Sequence, residues 1–310
     1  MSPSFDNRRI SSGIRGRVST ASESMGSPQK RVPGVRARVD TAVIPAAGFG
    51  TRLRPLTLAI PKEMLPLGRA PVLQHVLLEA RDAGIGRAVL VVSPGKEMIR
   101  AFFGDGARLG IRVDYALQPE MRGLGDALLR AEEWVDGRPF AVLFGDCVVT
   151  GTNREPSPLA RLLEVHADQD SEATVLTEQV APERVSRYGI VAPGGEALRP
   201  AFAVADIVEK PSPEQAPSLH AVAARWVLSA EIFRLLRETP VAQGAELNLT
   251  DAVRRLLREG GRVWAAPLKP GERRWDMGGW ATWLEAAAAF ALADAEHGPA
   301  IRRKLLEDQG

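Results

Sequence analysis

The fold is decided by residues 43 to 68, which read VIPAAGFGTRLRPLTLAIPKEMLPLG. The stretch begins within a short apolar run, Ala42 to Ala47, and this run predicts a buried strand. A loop of small residues follows, where Gly48 and Gly50 allow backbone N–H groups to approach a ligand closely, because neither residue has a Cβ. Successive N–H groups of this kind bind anions, and phosphates above all. The stretch therefore predicts a strand that ends in a phosphate-binding loop.

Three cations follow the glycine loop, namely Arg52, Arg54 and Lys62. Two prolines bracket Lys62 and stiffen its segment, so that the direction of its side chain is restricted. A strand, a phosphate loop and these cations together indicate a polyphosphate site. The glycine pair alone would also fit an ordinary tight turn. The segment lacks the Gly-Lys-Ser/Thr of a Walker A loop, and Leu53 occupies the place of the third glycine in a dinucleotide fingerprint.

The composition of the chain is that of a globular protein. Of its 310 residues, 45% are hydrophobic and 25% are charged, and 40 Lys and Arg balance 38 Asp and Glu. This balance gives no reason to expect a nucleic acid partner. No apolar run reaches the ~18 residues of a membrane span, so we expect no membrane partner either. Cys147 is the single cysteine, which fits a reducing compartment and predicts a cytoplasmic location.

The chain divides by composition into a tail, a body and a short end. Residues 1–40 are rich in Ser, Gly and Arg and poor in apolar residues, so we expect a disordered basic N-terminal tail. The body is expected over residues 41–297, with a first part at about 41–177 and a second part at about 178–297. Residues 298–310 are highly charged and are expected to form a C-terminal tail.

Strand-like and helix-like patterns alternate through the first part of the body, at intervals typical of βαβ units. This alternation predicts an α/β fold with a mainly parallel central sheet and helices on both faces. Ligands of such sheets bind at the carboxyl ends of the strands, so the glycine loop and Asp146 are expected at one rim. From about residue 178, short strands separated by Gly, Pro and Ser turns predict an inserted antiparallel or mixed β segment.

Two aspartates stand in similar contexts, although they are far apart in sequence. Asp146 follows a glycine at the end of a predicted strand, and Asp276 follows an aromatic residue and precedes two glycines. A carboxylate in such a place either caps the backbone or binds a metal ion. Mg²⁺ is commonly held by one or two carboxylates together with substrate phosphates. The pair is therefore a candidate Mg²⁺ site beside the phosphate loop.

The segment AAGFGTRL and the later segment PKEMLPL together resemble the sugar-1-phosphate nucleotidyltransferase family, and most closely its bacterial UTP–glucose-1-phosphate uridylyltransferases. Both segments occur at the family's spacing, and further family-like pieces extend the resemblance over about residues 40 to 297. The resemblance implies a three-layer, Rossmann-like nucleotidyltransferase fold, with a nucleotide part followed by an inserted sugar-binding β segment. It also implies transfer of a uridylyl group from UTP to a sugar 1-phosphate, first of all glucose 1-phosphate, with Mg²⁺ as the cofactor.

The resemblance also assigns roles to the matching positions of this chain. The implied catalytic cations are Arg52, Lys62 and Lys210. Contacts to the nucleotide are implied at the glycine loop and at a later base-reading region, namely at Ala46, Ala47, Gly48, Gly50, Thr51, Gln118 and Gly123. Contacts to the sugar are implied at Gly189, Glu209 and Lys210, and metal ligation at Asp146 and Asp276. A glutamine presents both a donor and an acceptor, which would match the N3–H and carbonyl edge of uracil or thymine.

The chain departs from the family pattern at places that leave the substrate open. Ala224 stands where the family usually has glycine, and Trp226 where it has tyrosine, so a narrower sugar pocket is expected. The short connection after Phe103 is more like that of the thymidylyltransferases. The alternatives are a glucose-1-phosphate thymidylyltransferase that uses dTTP, a uridylyltransferase for another sugar, and a non-catalytic, nucleotide-binding regulatory subunit. We expect a homo-oligomer, either a dimer or a tetramer.

Overall fold

The structure is a computed structural model that describes residues 38–152, 156–195 and 201–307. Of the predicted basic tail, residues 1–40, the first 37 residues lie outside the described ranges. Among the described residues, the first strand begins at Thr41, just before the stretch that decides the fold. Within the described ranges, no helix combines the length and the apolar character needed to cross a membrane.

Strands and helices follow one another along the described chain in the alternation that the sequence indicates. The strands are β1 (Thr41–Pro45), β2 (Pro66–Leu67), β3 (Ala70–Pro71), β4 (Arg87–Val92), β5 (Arg112–Leu117), β6 (Phe140–Leu143), β7 (Cys147–Thr150), β8 (Ala173–Gln179), β9 (Gly189–Pro193), β10 (Phe202–Glu209), β11 (His220–Leu228), β12 (Val263–Pro267) and β13 (Arg273–Asp276). The helices are α1 (Val72–Asp82), α2 (Glu97–Phe103), α3 (Leu124–Arg130), α4 (Glu132–Val135), α5 (Pro158–Asp168), α6 (Ile232–Glu238), α7 (Leu249–Arg258), α8 (Trp280–Ala293) and α9 (Gly298–Glu307). The last helix occupies most of the segment that was expected to be a C-terminal tail.

A nine-stranded sheet forms the centre of the molecule, with the strand order β5-β4-β1-β6-β11-β8-β12-β10-β9. The strands β5, β4, β1 and β6 run parallel to one another. Strand β11 then lies antiparallel between β6 and β8, and β12 is parallel to β8. Strands β10 and β9 continue the sheet in antiparallel pairs. The order places the carboxyl ends of β1 and β6 side by side at one rim.

The prediction of a mainly parallel sheet is correct for β5, β4, β1 and β6. The remaining strands of the sheet form both parallel and antiparallel pairs. Parallel neighbours need long crossover connections, and the helices α1 to α4 supply these between β1 and β6. Between β9 and β11 the connections contain turns rather than crossover helices, and the strand pairs β9–β10 and β9–β11 are antiparallel. The inserted β segment predicted from the turn pattern is therefore present as the antiparallel end of the same sheet.

Helices cover both faces of the sheet, which gives the three layers of an α/β fold. Strand β1 illustrates the division, because successive side chains of a strand point to opposite faces. Ala42 and Ile44 belong to a core that is completed by α1, α2 and α5. Val43 belongs to a second core that is completed by α3, α6 and α7. The short apolar run at the start of the deciding stretch is thus buried on both sides, as a central parallel strand requires.

Candidate active site

The glycine loop leaves β1 at the rim of the sheet and is held by its neighbours. The backbone N–H of Ala46 donates to the carbonyl of Val91 on β4 at 2.8 Å. Gly50 adopts a left-handed conformation with φ of 62°, which explains why glycine stands there. Its carbonyl accepts a hydrogen bond of 2.8 Å from Thr57 Oγ1. Ala46 and Ala47 are buried, whereas Thr51 is exposed to solvent.

Lys62 lies against the glycine loop, as its position in the sequence suggested. It begins a short 3₁₀ helix, Lys62–Met64, directly after Pro61. Its Nζ lies 3.4 Å from the place that a Cβ of Gly48 would occupy, and it donates a hydrogen bond to Asp146 Oδ2. Burial lowers the pKa of Lys62, but the carboxylates of Asp146 and Glu63 outweigh burial and hold that pKa above its usual value. The ammonium is therefore charged and aimed at the rim between β1 and β6.

The two aspartates meet because β7 and β13 form a short antiparallel ribbon. Asp276 is the register partner of Cys147, the residue that follows Asp146. The backbone N–H of Met277 donates to the carbonyl of Asp146 at 3.0 Å, and that of Gly278 donates to Asp276 Oδ1 at 2.8 Å. The sequence pattern did not predict this ribbon, since both strands are short.

The donor set at this place fits a Mg²⁺ ion. Asp146 and Asp276 offer hard carboxylate oxygens, and Asp146 Oδ2 already accepts a hydrogen bond from a cation, Lys62. Among the described residues there is no cluster of three or more His, Cys, Asp or Glu side chains that could hold a metal ion alone. Mg²⁺ is commonly bound by one or two carboxylates together with substrate phosphates, and these two carboxylates suit that mode of binding.

A cavity of about 510 Å³ joins this rim to the antiparallel end of the sheet. The predicted residues that line it include both proposed metal ligands, two of the three predicted catalytic cations and the sugar-site positions, namely Arg52, Asp146, Asp276, Gly189, Glu209 and Lys210, the last of which belongs to both sets. The other predicted residues lie outside this cavity, around the carboxyl ends of β1 and β5. The sugar motif and the two carboxylates therefore line one cavity, and Lys62 connects the glycine loop to Asp146.

Glu209 is held in place at the sugar end of the cavity. Its Oε2 accepts a hydrogen bond of 2.8 Å from Thr250 Oγ1 on α7. Gly189 is the register partner of Glu209, and a Cβ at position 189 would lie 3.2 Å from Glu209 Oε2. The missing side chain at Gly189 thus leaves room for a ligand beside the carboxylate.

Lys210 projects from the end of β10 with most of its side chain in solvent. Its side chain is 60% exposed, and its Nζ lies 3.3 Å from Glu209 Oε1. The backbone of Lys210 has φ of 45°, and its N–H donates to the carbonyl of Tyr188 at 3.0 Å. This unusual backbone turns the chain at the proline that follows, and it leaves an ammonium beside the carboxylate at the mouth of the cavity.

Gln118 lies directly after β5, and its amide orientation is fixed by acceptors. Its Nε2 donates to Asp126 Oδ2 at 2.8 Å and to the carbonyl of Gly123 at 3.1 Å. Because two acceptors face that end of the amide, it must be the NH₂ group. Both amide protons are therefore used within the protein, and Oε1 is the atom left for a ligand. The sequence suggested that Gln118 offers both a donor and an acceptor to the base. In the structure, only the acceptor, Oε1, is available to a ligand.

Asp126 was not singled out from the sequence, although it determines the orientation of Gln118. It is buried in the first turn of α3, where its Oδ1 accepts a hydrogen bond of 3.0 Å from Arg130. A charged residue in the first turn of a helix usually lies at the surface, so the pattern gave no sign of its burial. The one available signal is its position just after the two glycines of the base-reading region.

A single segment, residues 244–251, contacts both ends of the site. Its Leu247 exchanges backbone hydrogen bonds of 2.8 Å with Arg122 and Gly125 in the base-reading region. A Cβ at Gly125 would lie 2.5 Å from Leu247 Cγ, which explains that glycine. Thr250 of the same segment bonds Glu209. The segment thus connects the region around Gln118 to the sugar end of the cavity.

The substituted position Ala224 lies in the cavity wall, in the middle of β11. Its φ is 60°, and the register of β11 with β8 shifts between Val222 and Trp226. The next residue, Arg225, is fully buried and donates to Glu79 Oε2 at 2.6 Å and to the carbonyl of Cys147 at 2.8 Å. The bulge therefore places alanine in a conformation that suits glycine and directs an arginine at the ribbon that carries the proposed metal ligands.

Cys147 itself is inaccessible, although it lines the cavity beside Asp146. Its residue surface is 3% exposed, and burial raises the pKa of its thiol to about 12. The thiol is therefore protonated at neutral pH and is a poor nucleophile.

Comparisons with known proteins agree with this geometry. A family model described as Nucleotidyl transferase matches residues 41–292. The UTP–glucose-1-phosphate uridylyltransferase of Streptococcus pyogenes is 36% identical over 289 residues, which cover 86% of this chain and 92% of that protein.

Two solved structures are similar over most of their length. A UDP-glucose pyrophosphorylase complexed with UDP-glucose has a TM-score of 0.75 and 31% identity, and the match covers 82% of this chain and 98% of that one. A UTP-bound enzyme of the same kind from Acinetobacter baumannii has a TM-score of 0.75 and 29% identity over 87% of this chain and 99% of that one. Since the family model and the Streptococcus pyogenes relative each span most of the chain, this protein belongs to the nucleotidyl transferase family.

Proposed function

We propose that this chain transfers a uridylyl group from UTP to α-D-glucose 1-phosphate, giving UDP-glucose and pyrophosphate. The observation that supports this best is the cavity that has Asp146 and Asp276 at one end and Glu209 and Lys210 at the other. A nucleotide and a sugar 1-phosphate held at these two ends would meet at the carboxylates. The similarity to UTP–glucose-1-phosphate uridylyltransferases over 86% of the chain favours UTP and glucose 1-phosphate among nucleotides and sugars.

In the proposed reaction, an oxygen of the sugar phosphate attacks the α-phosphorus of UTP in line. A new P–O bond forms, the bond from the α-phosphorus to the bridging oxygen breaks, and pyrophosphate leaves with the electron pair. Catalysis then consists of positioning and charge neutralisation, without a covalent enzyme intermediate.

The charged residues of the proposed site would bind different substrates. Arg52 and the N–H groups of the glycine loop would bind the departing pyrophosphate, and Lys62 would brace the phosphates from the side of Asp146. Lys210 would hold the phosphate of the incoming sugar, and Glu209 would accept hydrogen bonds from sugar hydroxyls. Asp146 and Asp276 would hold Mg²⁺, which supplies neutralisation of charge on the α-phosphate when it is bound.

The nucleotide contacts follow the rim of the parallel half of the sheet. Phosphates would lie on Gly48, Gly50 and Thr51, close to the buried Ala46 and Ala47. The base would lie near Gln118 and Gly123, where the unused Oε1 of Gln118 accepts the N3–H of uracil or thymine. Cytosine and adenine present an acceptor at the corresponding position, so both should be rejected.

The experiment that tests the proposal measures Mg²⁺-dependent release of pyrophosphate with glucose 1-phosphate and each of UTP, dTTP, GTP, ATP and CTP. We expect UTP to give the highest kcat/KM. A preference for dTTP would replace the proposal with thymidylyl transfer, which the short connection after Phe103 suggests. Nucleotide binding without release of pyrophosphate from the nucleotide, whichever sugar 1-phosphate is supplied, would contradict catalysis and favour a regulatory subunit.

Further proposals concern the organisation of the molecule. We propose that residues 41–177 bind the nucleotide and residues 178–297 the sugar, because the respective residues lie at the parallel and antiparallel ends of the sheet. A homo-oligomer is supported by apolar side chains that are exposed on the last two helices, such as Leu284, Leu305 and Leu306. The cytoplasmic location remains a prediction from the single cysteine.

A further inference from the structure

A buried lysine lies beneath the glycine loop, outside the residues that the proposed mechanism uses. The side chain of Lys96, which follows β4, is 7% exposed, and that of its partner Glu63 is 1% exposed. Lys96 Nζ donates to the carbonyl of Ala46 at 2.6 Å, to that of Gly48 at 2.8 Å and to Glu63 Oε2 at 2.7 Å. Three acceptors surround Nζ and match the three donors of an ammonium group, so the hydrogen-bonding capacity of the lysine is fully used.

The carbonyl of Ala47, which lies between those of Ala46 and Gly48, also accepts a hydrogen bond from a side chain that follows β4. Ser93 Oγ, at the end of β4, donates to the carbonyl of Ala47 at 2.8 Å. Consecutive carbonyls of the glycine loop, those of Ala46, Ala47 and Gly48, are therefore all bound by side chains from the turn after β4. An ordinary turn does not need such support for every carbonyl.

The direction of the carbonyls determines the direction of the N–H groups. In a planar trans peptide, the carbonyl of one residue and the N–H of the next point to opposite sides. Carbonyls that face Lys96 and Ser93 thus turn the N–H groups of Ala47, Gly48 and Phe49 away from the protein interior. Within the described ranges, no backbone carbonyl accepts a hydrogen bond from these N–H groups.

We propose that Lys96 and Ser93 are positioning residues that hold the carbonyls of the glycine loop inward, so that its N–H groups bind the pyrophosphate portion of the nucleotide. This inference rests on the proposed function, in which the loop receives the phosphates. Glu63 belongs to the same 3₁₀ helix as Lys62, so the buried pair also fixes the segment from which Lys62 reaches Asp146.

The charge of Lys96 does not act on the phosphates directly. Among the described residues, Glu63 accepts a hydrogen bond from Lys96 at Oε2, its buried Oε1 has no partner, and Lys62 instead donates to Asp146. The contribution of the lysine is therefore geometric: three donors at one point fix two carbonyls and one carboxylate. A merely structural pair would affect the stability of the fold but would not distinguish between the two substrates.

The test removes the pair without leaving a buried charge. The double variant Lys96→Met/Glu63→Met replaces both partners with apolar side chains, a change that buried ion pairs often tolerate. Ser93→Ala removes the third support alone, and Lys304→Met, on the exposed face of α9, is the control. For each protein we would measure KM for UTP, KM for glucose 1-phosphate, kcat, inhibition by pyrophosphate and the thermal midpoint.

We expect the double variant to raise KM for UTP and the inhibition constant of pyrophosphate by about 10- to 100-fold, the range for loss of one or two hydrogen bonds to a charged group. KM for glucose 1-phosphate should stay within about twofold, because its phosphate lies at Lys210. Ser93→Ala should change the same two constants in the same direction by about threefold to tenfold. The inhibition constant of uridine, which lacks phosphates, should not change.

Several results would overturn the inference. A folded double variant with wild-type constants for UTP and pyrophosphate would do so, as would equal loss of affinity for both substrates and for uridine. If the double variant does not fold, Ser93→Ala decides, and unchanged constants in that variant contradict the inference. Failure of the proposed function is a separate outcome, because then the wild-type protein itself would release no pyrophosphate from UTP.

Discussion

At the scale of single residues, Ala224 shows how a backbone conformation limits the choice of side chain. Its φ of 60° lies in the left-handed region, where a non-glycine residue costs about 1–2 kcal/mol. The neighbouring Ala223 is also buried but has no positive φ, so it serves as the matched control. Both substitutions to glycine remove one buried methyl group and add the same freedom to the unfolded chain.

We therefore predict that Ala224→Gly is more stable than Ala223→Gly by about 1–2 kcal/mol, because the first change alone relieves strain. Urea denaturation of the two variants measures this difference in the free energy of unfolding. Equal losses in the two variants would contradict the prediction. The variant Ala224→Gly also enlarges the cavity by one methyl group, and comparison of several sugar 1-phosphates would show whether that methyl restricts the sugar.

Asp126 gives a second prediction at this scale, on the choice of base. Its carboxylate only accepts hydrogen bonds, and it thereby holds the NH₂ group of Gln118 away from the ligand. In Asp126→Asn the side chain also donates, so only the carbonyl of Gly123 still requires the NH₂ group, and the inverted amide, which presents NH₂ to N3 of cytosine, becomes accessible. We expect the ratio of kcat/KM for UTP over CTP to fall by about tenfold, the equivalent of one neutral hydrogen bond.

The control for that change is Glu120→Gln, which alters an exposed carboxylate near the same loop. It should leave the ratio of UTP over CTP unchanged. A ratio that stays at the wild-type value in Asp126→Asn, while UTP remains a good substrate, would show that Asp126 does not set the orientation of Gln118.

At the scale of secondary-structure elements, the pair Arg225–Glu79 connects β11 and α1 to the ribbon that carries the proposed metal ligands. Arg225 is 0% exposed in its side chain and Glu79 is 9% exposed. Arg225→Met would leave Glu79 buried without its cation, and we predict a loss of about 3–5 kcal/mol in the free energy of unfolding. Arg122→Met, which removes one partner of an exposed pair, should cost less than about 1 kcal/mol.

A double variant distinguishes the contribution of this pair to the stability of the fold from its role in positioning the ribbon. Arg225→Met/Glu79→Met should recover much of the lost stability, since no buried charge remains unpaired. It should still have a reduced kcat, because the carbonyl of Cys147, next to Asp146, loses its donor. Full activity in a stable double variant would contradict a positioning role for Arg225.

The elements that the sequence predicted well are those with a strong local pattern. The apolar run Ala42 to Ala47 predicts β1 to within two residues, and the helical spacing of apolar residues from Pro71 to Ala83 predicts α1 to within one, because both patterns are visible locally. The ribbon of β7 and β13 was missed, since the pairing of two short segments far apart in sequence leaves no local trace. Lys96 and Asp126 were missed because only tertiary packing buries them.

At the scale of the whole molecule, one continuous sheet carries both proposed substrate sites. The resemblance to the family predicted the residues near each site, and the sheet order explains how distant motifs meet. Since Lys210 stands at the antiparallel end, Lys210→Ala should raise KM for glucose 1-phosphate by at least about tenfold and leave KM for UTP within about twofold. Steady-state kinetics with each substrate varied in turn measures both constants. A change in KM for UTP alone would contradict the assignment of the two ends.

The burial of Cys147 has a consequence for how motions of the active site are observed. The chain has a single thiol, and it lies at the start of the ribbon that holds both aspartates. A thiol reagent reaches this sulfur only when the ribbon moves away from the residues that cover it. The rate of modification therefore reports the frequency of this local opening. We predict that modification of the native protein at neutral pH is slower than that of the unfolded chain by at least about a hundredfold, and slower again with UTP bound. Equal rates in the native and unfolded protein would contradict the burial. A colorimetric thiol reagent therefore measures how often the ribbon of β7 and β13 opens, and no introduced label is needed.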